Sequence, residues 1–261
     1  MPYNIREKRI GEIGYNNLNS KMMIIEYNNN RDIIVEFQDE YRFKVHTSYQ
    51  KFVQGKVGNP YDRTMRNIGY IGVGAFIPSQ NPKMYNSWAN MFDRCYNQKF
   101  ISTHKTYKNC IVDERFHCFQ DFGMWFKENY YKVDDEIMCL DKDILIKGNK
   151  IYGPDTCIFI PDFINKLFPK SENSRGDLPV GVSYVSYEST KCYAASCSVF
   201  DEDSKQRKKI HLGTFNTIND AFLAYKSYKE IYIKTIADNY KQKIPEKVYN
   251  ALYNYEVNIN D

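Results

Sequence analysis

Between Met22 and His46, apolar and polar positions alternate with the period of two that a half-buried strand requires. They do so in three runs: Met22-Met23-Ile24-Ile25-Glu26-Tyr27, Arg31-Asp32-Ile33-Ile34-Val35-Glu36-Phe37 and Tyr41-Arg42-Phe43-Lys44-Val45-His46. Asn28-Asn29-Asn30 and Gln38-Asp39-Glu40 separate these runs as polar stretches of hairpin length. The pattern predicts a small antiparallel, barrel-like β domain over residues 1–66, with one helical turn over residues 49–55 ended by Gly55. A boundary is expected within residues 60–82.

The period then changes. Trp88, Met91, Phe92 and Cys95 recur at helical spacing behind Asn86 or Ser87 as cap, and Phe119, Phe122, Trp125 and Phe126 form a second apolar stripe. A short strand at Glu136–Leu140, a polar stretch ending in Gly148-Asn149-Lys150, a further strand or turn and a helix near residues 161–168 complete a module expected over residues 83–169. Residues 169–180 mix proline, glycine and polar side chains without periodicity, the signature of a linker. A third piece, residues 180–261, predicts three strands (181–187, 191–200 and 208–215) and then a long helix capped by Thr217, with Asp220 at its positive end. Ala221, Tyr225, Tyr228, Tyr232 and Ile236 make its sheet-facing stripe, and Pro245 opens a shorter helix carrying Val248, Leu252 and Tyr255. The expected fold class is α+β and multidomain.

Composition narrows the function classes. With 43% hydrophobic and 26% charged residues, most of the chain has the makings of a core, which excludes a largely disordered polypeptide. No apolar run reaches membrane-spanning length, and no leader pattern opens the chain, so a cytoplasmic protein is expected. Seven cysteines without short paired spacing suit reduced, mostly buried thiols. The net charge of +4 permits nucleic-acid binding without arguing for it. Arg31, Arg42, Lys44 and His46, with Lys51 and Lys56 beyond, make the first piece the most basic and suit it to a phosphate backbone.

Gly181-Val182-Ser183-Tyr184, Tyr193-Ala194-Ala195, Ile210-His211-Leu212-Gly213-Thr214-Phe215, Ala221-Phe222 and Tyr225 resemble the ethylene-response-factor type of DNA-binding domain, found in plants and, in mobile form, in phage integrases and homing endonucleases. The resemblance covers roughly sixty residues and implies a three-stranded sheet docked in the major groove with the helix bracing its back, a geometry that suits a β-ribbon reader. Alternation turns Val182, Tyr193, Ala195, Ile210 and Leu212 to the helix and Ser183, Ala194, Ser196, Ser198, Lys209 and His211 outward. The DNA-contacting set is then Ser183, Lys191, Ser196, Ser198, Arg207, Lys208, Lys209, His211 and Thr214, with the strand-end cations on phosphates. The family reads bases largely with arginine, whereas the outward positions here hold Ser and Ala.

From Trp88 to Asn165 the order of Trp88, Met91, Arg94-Cys95, Tyr107, Phe119, Phe122, Trp125, Leu140-Asp141-Lys142-Asp143, Gly148-Asn149, Tyr152, Pro154, Cys157 and Asn165 resembles degenerate HNH endonuclease modules of phages. That resemblance implies a ββα module with the general base at Lys142, supported by Asn149, and magnesium or manganese on Asp141, Asp143 and Asn165 if the site is active. A protonated lysine is no base unless burial lowers its pKa by several units. His117, at a helix start among aromatics, is expected as a core or cap residue, and His104 as a loop residue. Together the two resemblances predict a phage or mobile-element protein that binds double-stranded DNA. One alternative is a metal-dependent HNH-type endonuclease, and another is a counter-defence inhibitor that uses the same modules against a host nuclease complex.

Overall fold

The computed structural model describes residues 8–168, 177–187, 190–201 and 206–259, and at residues 186, 187, 190, 191 and 201 the backbone only. The chain is α+β and divides into two compact units: residues 1–128 with 152–154, and residues 129–151 with 155–261.

The first unit opens with a four-stranded antiparallel sheet of order β1 (Ile13–Tyr15), β2 (Lys21–Asn29), β3 (Asp32–Phe37) and β4 (Lys44–Thr47). β2 and β3 match the first two expected runs, β4 takes up only the second half of the third, since Tyr41–Phe43 belong to the turn with Arg42 at φ +50°, and β1 precedes them. A three-residue strand around Gly14 is too short to show a period. Met22, Ile24, Ile33, Val35 and Phe37 point to one side and pack with Phe52 and Val57. Phe52 comes from α1 (Tyr49–Val53), which Ser48 caps and Gly55 ends at φ +67°. On the other side of the sheet the exposed Arg42 and Lys44 share one carboxylate, Glu36, and His46 lies 3.4 Å from Asp32, so these acids offset part of the basic surface that the composition predicts.

Residues 60–82 do not separate domains. Tyr70 is laddered between His117 and Phe119, and the buried Gln120 side chain donates to the Ile71 and Phe76 carbonyls while accepting from the Phe76 amide at 2.9 Å. These bonds hold the segment inside the first unit, where every buried backbone group needs a partner. α2 (Pro82–Tyr96), α3 (Gln98–Thr103), β5 (Ile111–Val112) and α4 (Phe119–Asn129) follow. Trp88, fully buried, donates its indole N–H to the Phe116 carbonyl at 2.8 Å and meets Phe92 and Phe119, so both predicted stripes are core. His117 is a structural residue, its Nε2 3.1 Å from the Val112 carbonyl. His104 lies flat on Phe100 at 4.2 Å.

In the second unit β6 (Met138–Asp141) pairs antiparallel with β8 (Ile158–Pro161); β7 (Ile151–Tyr152), between them in sequence, is divided at the unit boundary, with Tyr152 in the first unit. α5 (Asp162–Asn165) is a single turn where a longer helix is expected. Then come β9 (Val182–Tyr187), β10 (Thr190–Asp201), β11 (Gln206–Phe215), α6 (Ile218–Tyr240) and α7 (Glu246–Tyr253), with the sheet ordered β11-β10-β9. The residues expected as one central module, 83–169, are thus divided between the units. Cys95, Cys110, Cys118, Cys157 and Cys197 are buried, and none of the seven cysteines is in a disulfide.

Candidate nucleic-acid interface

α6 starts where the sequence places it: the Thr217 hydroxyl accepts from the Asp220 amide at 3.1 Å, and Asp220 stands in the first turn. One side of the helix buries Ala221, Phe222 and Tyr225 against Val182, Ala195 and Cys197 of the sheet, joined by Val180 and Val257. Ala195 and Ala221 are both fully buried, and their small size keeps helix and sheet close. Gly181 is required at this contact. Its φ is +79°, and a Cβ there would collide with the Tyr225 ring.

With the helix side assigned, strand register fixes the opposite face. Ser183 pairs across with Ala194 and Ala194 with Thr214; below that row Ser196 faces His211 and Ser198 faces Lys209. A bulge leaves Leu212 unopposed, since Ala195 pairs with Gly213 and Ser196 with His211. Simple alternation would set His211 and Thr214, three residues apart, on opposite faces. The bulge returns them to one face, and the neighbouring Gly213 accepts φ +137°.

Ser183, Ser198, Lys209, His211 and Thr214 are exposed and Ser196 half-buried, while Ala194 is buried between its neighbours despite its outward row. Lys208, expected as a strand-end cation, lies opposite Val199 in the helix-side row and is exposed near the strand end. Ile210 also pairs on that inner side, opposite Cys197, and is partly buried. Arg207 stands on the outer row opposite Phe200, with its guanidinium donating to the Lys166 carbonyl at 2.8 Å. Lys191 lies in β10, its side chain outside the described residues.

Beneath the sheet lies a residue that periodicity reasoning missed. Lys229 occupies the buried stripe of α6, one turn after Tyr225, only 5% exposed and 5.5 Å over the Tyr232 ring. Burial holds its ammonium below the ordinary lysine value, Cys197 acts the other way, and Arg207 adds to the lowering. Burial in turn pushes the Cys197 thiol up. A lysine interrupting an otherwise apolar stripe was the available signal.

The HNH-like hairpin does not assemble the chemistry expected of it. Lys142 is buried, yet its Nζ donates to the Asn149 carbonyl at 2.7 Å and pairs with Asp143 at 3.2 Å. Both contacts use the side-chain nitrogen as a hydrogen-bond donor within the hairpin. Asn149 returns its side-chain amide to the Lys142 carbonyl at 2.6 Å and to the Ile151 carbonyl at 2.7 Å. Asp141 caps the turn by accepting from the Asp143 and Ile144 amides at 2.8 and 2.7 Å. The proposed ligands are thus engaged in folding the hairpin, and no described contact joins Asn165 to them. Among the described residues no three His, Cys, Asp or Glu groups are placed to hold a metal ion. The hydrogen bonds of Asp141 and Asn149 shape the turn, and no hydrolytic step is derived through Lys142.

Among the described residues no helix is long and apolar enough to cross a membrane. No protein family, curated protein or solved structure matches this chain.

Proposed function

We propose that the protein is a cytoplasmic double-stranded DNA-binding protein and that it docks the face of β9–β11 opposite α6 in the major groove. The observation that carries this reading is the register, which brings Ser183, Ser196, Ser198, Lys209, His211 and Thr214 onto one face across a β-bulge. A three-stranded sheet fits the groove, and short hydroxyl side chains let its backbone approach the groove floor. Lys209 and His211 are the long donors on that face, suited to acceptor atoms on base edges or to phosphate. Supporting binding rather than cleavage, Lys142 and Asn149 bond to each other's backbone carbonyls within the hairpin.

Affinity for a mixed-sequence duplex, titrated with salt, tests the proposal. Each phosphate neutralised by a cation steepens the slope of log K against log salt by about 0.9, so a Lys209→Ala chain whose lysine meets phosphate has a slope shallower by about that amount. His211→Ala weakens binding on the same face without unfolding it, because His211 is exposed. A salt-independent affinity, or one indifferent to both substitutions, overturns the reading.

A further inference from the structure

We propose that the first unit holds a second, separate binding site, for an organic cation of the alkylammonium or guanidinium class, in a cavity of about 390 Å³ between the β3–β4 turn and residues 59–70. The size matches one side-chain-like group and not a folded partner. One wall is aromatic. Tyr41 lies parallel on Tyr61 with centroids 3.8 Å apart, Tyr70 stands 5.9 Å from each, and the Tyr41 and Tyr70 hydroxyls are 3.0 Å apart. Electron-rich rings attract diffuse organic cations.

The remaining lining holds three acids, Asp39, Glu40 and Asp62, and one cation, Arg63, beside Leu18, Ser20, Asn59 and Asn67. Asp62 is only 8% exposed, yet its carboxylate is held by neutral donors alone, the Asn16 amide at 2.7 Å and the Ser20 hydroxyl. Asp39 is likewise held by the Tyr41 and Arg42 amides and by Asn59 at 2.7 Å. Glu40 is exposed at the rim. Among the described residues none of the three forms an ion pair. Arg63, the one cation lining the cavity, donates to the Ile68 carbonyl at 3.0 Å and sits 5.7 Å over the Tyr70 ring. The acids outnumber the one lining cation, so an entering organic cation meets an excess of carboxylates beside the rings. The carboxylates do not converge as a metal centre, and rings stand where hard oxygen ligands would be needed, so the fit is to an organic cation.

Calorimetry on the full chain tests the site with three probes: an acetylated, amidated Gly-Arg-Gly peptide, the same peptide with neutral citrulline, and spermidine. The cationic probes bind and the citrulline peptide is at least about tenfold weaker, since it leaves the acids unpaired. Preference for the arginine peptide marks a protein ligand, and preference for spermidine a free polyamine. Asp62→Asn costs about tenfold and the exposed Glu40→Gln about threefold. Tyr41→Phe retains binding, while Tyr41→Ala loses about threefold through the missing ring. Should Asp62→Asn fail to fold, Glu40→Gln and the citrulline comparison decide. Equal binding of charged and neutral peptides, or none at millimolar concentration, or indifference to Glu40→Gln, overturns the proposal and leaves DNA binding by the other unit untouched.

Discussion

Replacing Lys142 by methionine keeps the length of the side chain and removes only its ammonium, which separates a structural lysine from a catalytic one. In the native hairpin that ammonium makes a 2.7 Å bond to the Asn149 carbonyl and a 3.2 Å pair with Asp143, and Asn149 binds back to the Lys142 carbonyl. Loss of a charge-assisted bond to a buried acceptor costs about 1.5–3 kcal/mol. Breaking a fully buried pair costs about 3–5 kcal/mol, but the Asp143 side chain is 20% exposed and regains water, so its share is well below that range. Methionine recovers about 1 kcal/mol by burying an apolar end. The net loss is about 2–3 kcal/mol, confined to the loop that Lys142 and Asn149 close. Because the chain has two compact units, a single unfolding transition is not the right reporter. Hydrogen exchange at the Asp143 and Ile144 amides, both bonded to Asp141, reads the loop directly. The expected acceleration is about 30- to 150-fold. Exchange within threefold of the parent chain refutes the structural reading and returns Lys142 to candidate chemistry.

Gly181→Ala combines a left-handed backbone with a Cβ inside the Tyr225 ring. It lowers the stability of the second unit by about 2–4 kcal/mol, read as a lower urea midpoint, whereas a neutral result means that helix and sheet are not packed as described. Lys229 supplies a pH signature. Its folded pKa lies below the ordinary value, so between the two values the unfolded chain binds the extra proton and stability rises with pH across that window. Lys229→Met removes this slope and is the more stable chain at neutral pH. Urea midpoints of both chains at pH 7 and at about pH 9.5 show a gap that narrows upward, and a constant gap contradicts the burial of the charge. The difference between the chains is the quantity to follow, because the raised Cys197 thiol works in the opposite sense in both.

Much of the local structure is written in short stretches. Alternation over Met22–Phe37 gives strands because a pleat exposes every second side chain, and Thr217 with Asp220 marks a helix start because early amides lack partners. The Trp88 and Phe119 stripes are core for the same reason of period. The candidate DNA face was half legible: Ser183, Ser196, Lys209 and His211 do share it. Thr214 reaches the outer face only through the bulge at Leu212, which no two-residue period foretells.

Length, composition, period and caps together determined that this chain is α+β, where most of its strands and helices begin, and which aromatic residues are interior, since each of these rests on neighbours within about a turn or a hairpin. The tertiary structure alone decided that residues 60–82 are fastened by Gln120, that Glu36 pairs with Lys44 and Asp32 meets His46, that Lys142 is bonded within its hairpin to Asn149 and Asp143, and that Asp39 and Asp62 share a cavity with three tyrosines. Charge and hydrogen-bonding capacity belong to a residue, but whether they are spent inside the fold or left for a ligand depends on which partners the chain brings within about 3 Å, and most of those partners lie far away in sequence.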